Sequence, residues 1–580
     1  MNRLPVEILS EIFKSDTESH LRCSHVCRRW RELIHRCSLF WSRIELCLLN
    51  PELDQHAAYW LKHAGSQPLS ISIQCNLLLG QEDVPQDDDY LVPLALVLRG
   101  HMARCEELEI IALPPQIQCF MNVCAVETPL LRRLIIRLPH DCRNDDEGLL
   151  FGNIWHPPLV VSFALPRNPP LPPRTLVKMD NWYPRFLSFG EAITELEIEG
   201  RVTISKTDDL LRMFRSCPNL VKCFLSGDVM KQIGEATPLA EPVALPHLTY
   251  LRIHYISDVE NLLDALDLPS LQHLDIWELE WHEVMLGTFW DLFRSCTSLS
   301  SISLTYDSYC SETDLPDFAG DTLHLPSVTR FTCHGNIIVN ALLRQLVLPN
   351  VQELKLRNVP SDIVHQLVSS STQLCTAAFG GTMGTVEDPP IITLPTLSSL
   401  EITGTIDYIN RLHLPQLSSL MLGHNVMSDD TPQLGTLLST FVERSAPPLV
   451  TLKLDHLDVP DQPLIWCLER LPLLEVLSLR TCTTTDAVIH ALSSESTGDF
   501  IVPRLTYFTF QRTQITPAAF IAFLSSRLGR DWIPPESAAA AAGGAGARPR
   551  LEGKVSFQNG PISQEDRATI RSMGNFLSHF

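Results

Sequence analysis

Apolar residues recur along most of this chain in one short phrase: an apolar position, two variable ones, an apolar one, a variable one and a final apolar one. It reads Leu248-Thr249-Tyr250-Leu251-Arg252-Ile253 and returns as Leu271-Gln272-His273-Leu274-Asp275-Ile276. Further copies start at Leu299, Val328, Val351, Leu374, Leu397, Leu417, Leu449, Leu474 and Leu505. Earlier ones start at Cys105, Leu131, Ile193 and Leu220, with a poor copy near Leu159. From Ile193 onward, successive starts lie 20 to 32 residues apart. The phrase predicts a short strand whose first, fourth and sixth residues point inward and whose third, fifth and seventh point outward. Between phrases, apolar residues fall at helical spacing, as over 208–216, 289–295, 362–370 and 464–471. No single copy can bury its own apolar face, so the copies are stable only as a stack. Pro often precedes the phrase, where it is expected to stop the preceding helix.

The first fifty residues follow another pattern. Leu4-Pro5 opens a helix, with Pro where a missing N–H does no harm. Val6, Ile8, Leu9, Ile12 and Phe13 follow at helical spacing, and a polar run over 14–19 breaks it. A second helix carries Leu21, Val26, Cys27, Trp30, Leu33 and Ile34, and Phe40 and Trp41 add bulky apolar surface. So short a segment cannot bury this much on its own, so a neighbour or a partner must cover part of it. The charge changes here too. Residues 1–50 are +2, and the remainder is −24 of a net −22. A mildly basic head on an acidic body predicts two modules with different partners.

These residues resemble known families. The recurring phrase, with a period in the twenties, resembles leucine-rich repeats. That implies an α/β solenoid with parallel strands on the concave face and helices on the convex face. Leu4-Pro5-Val6-Glu7-Ile8-Leu9 with Ile12-Phe13, then Val26-Cys27-Arg28-Arg29-Trp30-Arg31 and Phe40-Trp41, resembles the F-box over residues 3–46. Together the two resemble fungal F-box/leucine-rich-repeat substrate receptors of SCF-type ubiquitin ligases. The resemblance implies docking onto a Skp-type adaptor and, through it, a cullin. Leu4, Pro5, Ile8, Leu9, Ile12, Val26, Cys27, Trp30 and Trp41 would form or support that surface. The expected function is a substrate-recognition subunit that holds a target protein on the repeats. The alternative is a non-degradative interaction scaffold with the same two modules.

The expected organisation is an F-box at 1–50, a helical linker and first strand at 51–104, and the solenoid at 105–530. A low-complexity linker at 531–550 and a tail at 551–580 follow, the tail with a short helix capped by Ser563. Within the linker, 55–64 and 91–104 read as helices and 68–74 as a strand. The ninth position of the repeat often carries Asn or Cys to satisfy the turn backbone. Asn336, Asn425 and Cys482 fit, and Thr405 and Thr513 are substitutes. Ile256, Leu279, Val359 and Leu457 cannot make such a bond, which predicts an irregular solenoid.

Composition narrows the function. Hydrophobic residues are 45% and charged residues 19%, so most of the chain should fold. The net charge of −22 argues against nucleic acid or an anionic membrane as partner. No apolar run approaches the roughly 20 residues of a bilayer span. Glu7 falls where a signal peptide needs its apolar stretch, and the 17 cysteines include no Cys-x-x-Cys pair. The expectation is a cytoplasmic or nuclear chain, or both. His20, Cys23, His25, Cys27, His35 and Cys37 are soft ligands in a short stretch. Zinc requires four that converge, and Cys27 belongs to the apolar pattern, so no metal is expected. The stretch 380–385 has glycines but no Lys-Ser/Thr, and there is no Gly-x-Ser-x-Gly elbow and no His-Glu-x-x-His helix. Neither catalysis nor a cofactor is expected. Exposed Trp, Tyr and Arg are the types enriched at interface hot spots. The outward positions richest in them predict target contacts at Tyr250, Arg252, His273, Trp277, Arg330, His334, Lys355 and Arg357.

Overall fold

The computed structural model describes residues 23–48, 50, 52–74, 89–138, 158–165, 174–180, 182–200, 207–227, 242–256, 259–277, 281, 283–305, 321–381, 390–404, 406–424, 434–493, 500–528, 551–557, 562–574 and 576. Among them no helix is long and apolar enough to cross a membrane. The chain divides into two compact units, residues 1–299 with 306–308 and residues 300–305 with 309–580.

The first unit is a parallel ladder. Its strands are β1 (Arg43–Cys47), β2 (Leu69–Gln74), β3 (Cys105–Ile111), β4 (Arg133–Arg137) and β5 (Thr175–Asp180). They continue as β6 (Ile193–Glu199), β7 (Lys222–Ser226), β8 (Tyr250–His254) and β9 (His273–Trp277). Each pairs with the next. Equivalent positions of successive repeats face one another, as Leu251 does Leu274 and Ile253 does Ile276. These inward residues are buried, as are Leu248 and Leu271 at the starts of their phrases. Helices α1 (Arg28–Arg36), α2 (Leu53–Ala64), α3 (Val92–Arg99), α4 (Pro114–Val123), α5 (Thr207–Ser216), α6 (Val259–Asp264) and α7 (Glu283–Ser295) belong to this unit. In α5, Leu210, Leu211, Met213 and Phe214 are buried.

The second unit repeats the scheme. Its strands are β10 (Ser301–Thr305), β11 (Arg330–His334), β12 (Glu353–Arg357), β13 (Thr376–Gly381) and β14 (Ser399–Gly404). β15 (Ser419–Gly423), β16 (Thr451–Asp455), β17 (Val476–Arg480), β18 (Tyr507–Thr513) and β19 (Glu552–Phe557) complete the ladder. Each again pairs in parallel with the next. Its helices are α8 (Ile337–Leu343), α9 (Ser361–Ser370), α10 (Leu434–Ser445), α11 (Asp461–Glu469), α12 (Asp486–Leu492), α13 (Pro517–Leu528) and α14 (Gln564–Met573). Parallel strands in register, with buried and mostly apolar residues, Leu foremost, at the first, fourth and sixth positions, make this a leucine-rich-repeat solenoid.

Some details differ from expectation. The poor copy near Leu159 is not a rung of the main ladder; its strand Leu159–Val161 pairs instead with Pro184–Phe186. The rung there is β5, whose first inward position is Thr175, not Leu. Its Oγ1 donates to Leu131 O at 2.8 Å, which satisfies a buried hydroxyl. Strands on either side of 105–530 join the ladders, β1 and β2 before and β19 after. α14 starts at its Ser563 cap, whose hydroxyl accepts from Asp566 N at 3.0 Å.

Proline also acts differently in part of the chain. Pro246, Pro326 and Pro395 follow two-residue strands, not helices. Val243–Ala244 pairs with Leu266–Asp267, Leu323–His324 with Leu346–Val347, and Ile392–Thr393 with Leu412–His413. In each case Pro is the second residue of a turn closed by a bond such as Leu248 N to Leu245 O at 3.2 Å, the position its fixed φ suits. After α5 and α11, Pro218 and Pro472 do follow a helix.

In eight of the repeats the turn out of the strand is set at the eighth repeat position rather than the ninth. There φ is left-handed at Gly200 (108°), Tyr255 (55°), Asn358 (54°), Gly381 (93°), Gly404 (96°), His456 (54°), Thr481 (52°) and Arg512 (51°). The amide of that residue continues the ladder, as Asn358 N does to Gly380 O (2.7 Å) and Thr481 N to Gln511 O (2.7 Å). At the ninth position Cys482 donates to Leu454 O (3.5 Å), and Asn336 caps α8 by accepting from Val339 N (2.8 Å). Ile256, Val359 and Leu457 are buried there. Asn425, Thr405 and Leu279 lie outside the described residues.

Candidate docking and target-binding surfaces

Of the expected adaptor-docking residues, Leu4, Pro5, Ile8, Leu9 and Ile12 lie outside the described residues. Val26 is 63% exposed. Cys27 caps α1, its Sγ accepting from Trp30 N at 3.5 Å, and Trp30 is half-buried. The Arg31 Nε–H donates to Ser24 O at 3.1 Å and ties the preceding turn to the helix.

Trp41 is different. It is 1% exposed, and its Nε1–H donates to Ile34 O at 2.8 Å, closing the short turn Ser38–Trp41 against α1. Trp60 (5.1 Å) and Tyr59 (5.6 Å) of α2 meet its ring edge-on, and His63 lies at 4.7 Å. Trp41 therefore supports the head from inside and does not present a contact itself. His35, 5.2 Å from Trp41, has its pKa lowered by burial, with His63 and Arg31 adding to it. Leu39, which sequence reasoning passed over, is 50% exposed. Its signal is an apolar residue just ahead of the buried pair Phe40-Trp41. Only Ser42 separates Trp41 from β1, and Ser70 N donates to Ser42 O at 2.9 Å. The head thus runs directly into the first rung of the ladder.

On the outward face of the first unit, Tyr250, Arg252, His273 and Trp277 come together as the register requires. Arg252 Nε pairs with Asp275 Oδ2 at 2.7 Å, and Trp277 Nε1 donates to Asp275 Oδ1 at 2.5 Å. The Arg252 guanidinium lies 5.5 Å from the Tyr250 ring and 5.7 Å from that of Phe224. His254 sits between Phe224 (edge-on, 5.1 Å) and Trp277 (stacked, 5.2 Å). Burial holds its pKa below the ordinary value, against the opposing pull of Asp275. Trp277 is 45% exposed and Tyr255 54%. Phe224 and Tyr255 were missed, although the first is at an outward position of the copy starting at Leu220.

On the outward face of the second unit, Arg330 faces Glu353, Thr332 faces Lys355 and His334 faces Arg357. Lys355 pairs with Glu353 on its own strand. Arg330, Lys355 and Arg357 are exposed.

Residues 1–47 match the F-box-like family model. None of the curated proteins matches the chain. Among solved structures, a Bacteroides fragilis protein is similar with a TM-score of 0.25 and 14% identity, over 44% of this chain and 64% of that one. CroV588, a circular LRR protein, gives a TM-score of 0.29 and 16% identity over 66% of this chain and 57% of that one. This chain therefore spans less than two thirds of either. Rad7 in complex with Elc1 from yeast gives 0.25 and 13% identity over 89% of this chain and 94% of that one.

Proposed function

We propose that this chain is the substrate-recognition subunit of an SCF-type ubiquitin ligase. Residues 1–47 dock onto a Skp-type adaptor and through it a cullin, and the repeats over 105–530 hold a target protein. Leu4, Pro5, Ile8, Leu9 and Ile12 make the docking surface with Val26, Cys27 and Trp30, joined by exposed Leu39, while Trp41 props it from beneath. The observation that carries this reading is the F-box-like match to residues 1–47, whose last strand, β1, is itself a rung of the repeat ladder. With no flexible link between head and rung, a docked head fixes the orientation of the repeats beside it. The chain then contributes proximity: it raises the effective concentration of the target near a ubiquitin-loaded enzyme and supplies no reactive group of its own. A cytoplasmic or nuclear setting goes with this role.

The test is a pull-down of the full chain with a Skp-type adaptor, together with target abundance in cells. The intact chain should capture the adaptor, and Leu9→Asp with Trp30→Ala should abolish capture and raise the abundance of proteins held by the repeats. Capture unchanged by the double substitution would defeat the docking assignment. Abundance unchanged on loss of docking would turn the reading to a scaffold.

A further inference from the structure

The cations of this chain are unevenly chosen. Of its 45, 36 are Arg and nine are Lys. Beyond residue 231 there are three lysines, Lys355, Lys453 and Lys554. The contrast sharpens between elements. Helices α1 to α14 hold twelve arginines and one lysine, Lys62, whereas the ladder strands β1 to β19 hold eight arginines and five lysines. The ladder lysines keep to the outward face. Lys178, Lys355, Lys453 and Lys554 face Glu197, Thr332, Ser478 and Thr509, each the fifth residue of its phrase, and Lys222 is a third residue. Lys178, Lys222 and Lys355 are ion-paired there. Lys14, Lys206 and Lys231 lie outside the described residues.

The fold does not call for this choice throughout. Lys and Arg are nearly equal helix formers and carry the same charge. Some helical arginines do need the guanidinium fork: Arg444 donates to Ile409 O and Leu412 O, and Arg527 to Leu492 O and Val502 O. Others do not. Arg212, Arg294 and Arg567 are exposed. Arg212 meets Asp209 of its own helix, a contact an ammonium could make, and neither Arg294 nor Arg567 has a carboxylate within 4.0 Å among the described residues. What separates the two side chains is reactivity. A lysine amine that has shed its ammonium proton attacks the carbonyl carbon of a ubiquitin thioester. The isopeptide C–N bond forms, the C–S bond breaks, and the departing thiolate takes up the proton the nitrogen loses. A guanidinium stays protonated and cannot take this step.

We propose that the ligase spares its own receptor because these helices carry guanidinium where lysine would accept ubiquitin. This rests on the reading of the chain as a substrate-recognition subunit, in which the receptor stands as near the ubiquitin-loaded enzyme as its target does. The proximity that serves the target would otherwise consume the receptor. On the same reading the ladder lysines stand on the face that the target occupies.

The experiment assembles the full chain with a Skp-type adaptor, a cullin and a ubiquitin-loaded enzyme, and follows ubiquitin transferred to the chain itself. Four versions are compared: the intact chain, Arg212→Lys/Arg294→Lys/Arg567→Lys, the same three positions changed to Gln, and the intact chain with a flexible lysine-bearing peptide appended. The appended peptide reports that the assembly is active. The intact chain should be modified slowly, and the triple Lys variant at least about fivefold faster, with the added conjugates mapped by mass spectrometry to positions 212, 294 and 567. The triple Gln variant, which alters the same sites without an amine, should match the intact chain. Thermal unfolding midpoints and adaptor capture should be the same for all four. A triple Lys variant modified no faster than the intact chain while the appended peptide is modified overturns the proposal, as does a rise shared by the Gln variant. If the appended peptide stays unmodified and the adaptor is not captured, it is the ligase reading that fails, and this inference falls with it.

Discussion

Gly404 shows what a single residue decides in this fold. It stands at the eighth position of its repeat with φ of 96°, and a Cβ there would meet Gly381 O at 2.7 Å. Gly404→Ala should cost about 1–3 kcal/mol, read as a lowered midpoint in thermal unfolding; an unchanged midpoint would mean the turn is not constrained as described. His254 is a second such case. Packed between Phe224 and Trp277, it loses solvation when charged, so its folded pKa lies below its unfolded value of about 6.5. Its contribution to stability is therefore present above about pH 6.5 and is lost as pH falls from there through the folded pKa. Titration of the His254 ring by NMR should give a midpoint below 6.5, and one above it would contradict the packing. The thiols divide sharply. Burial pushes Cys105 and Cys217 up to about 12, whereas Cys375 is exposed. A thiol reagent near pH 8 should label Cys375 quickly and the two buried cysteines only on unfolding.

Between elements, the same device recurs at the starts of neighbouring helices. Asp461, in the first turn of α11, accepts from Thr485 N (3.1 Å) and Oγ1 (2.5 Å). Asp486, in the first turn of α12, accepts from Thr516 N (2.6 Å) and Oγ1 (2.8 Å). Each carboxylate thereby locks its repeat to the next. Asp486→Ala should destabilise by about 1.5–3 kcal/mol, and with Thr516→Val in a double-mutant cycle the losses should fall short of additive. Additive losses would mean the two side chains do not act together. Nothing in the apolar pattern announces these clamps, because Asp and Thr in a turn read as ordinary polar residues. The strands were legible because Leu at three inward positions leaves a periodic trace, as at Leu248, Leu251 and Ile253. β5 was not, because a hydrogen-bonded Thr175 fills the place of the first Leu. β19 follows an Ala- and Gly-rich stretch that draws attention from Val555 and Phe557. The outward residues followed from register alone. That Trp41 is enclosed by Trp60, Tyr59 and His63 did not, since those partners lie on another helix.

At the scale of the whole chain, the head and its adjoining repeats are built as one piece, because β1 belongs to both the F-box-like segment and the ladder. On the proposed reading, an adaptor covers the apolar surface of this head. The most direct test is calorimetric titration of a Skp-type adaptor into the full chain and into its Leu9→Asp/Trp30→Ala variant, with Trp277→Ala as a control on the repeat face. The intact chain and the Trp277 variant should show saturable one-to-one binding, and the double variant no measurable heat. Equal binding by all three, or by none, would contradict it.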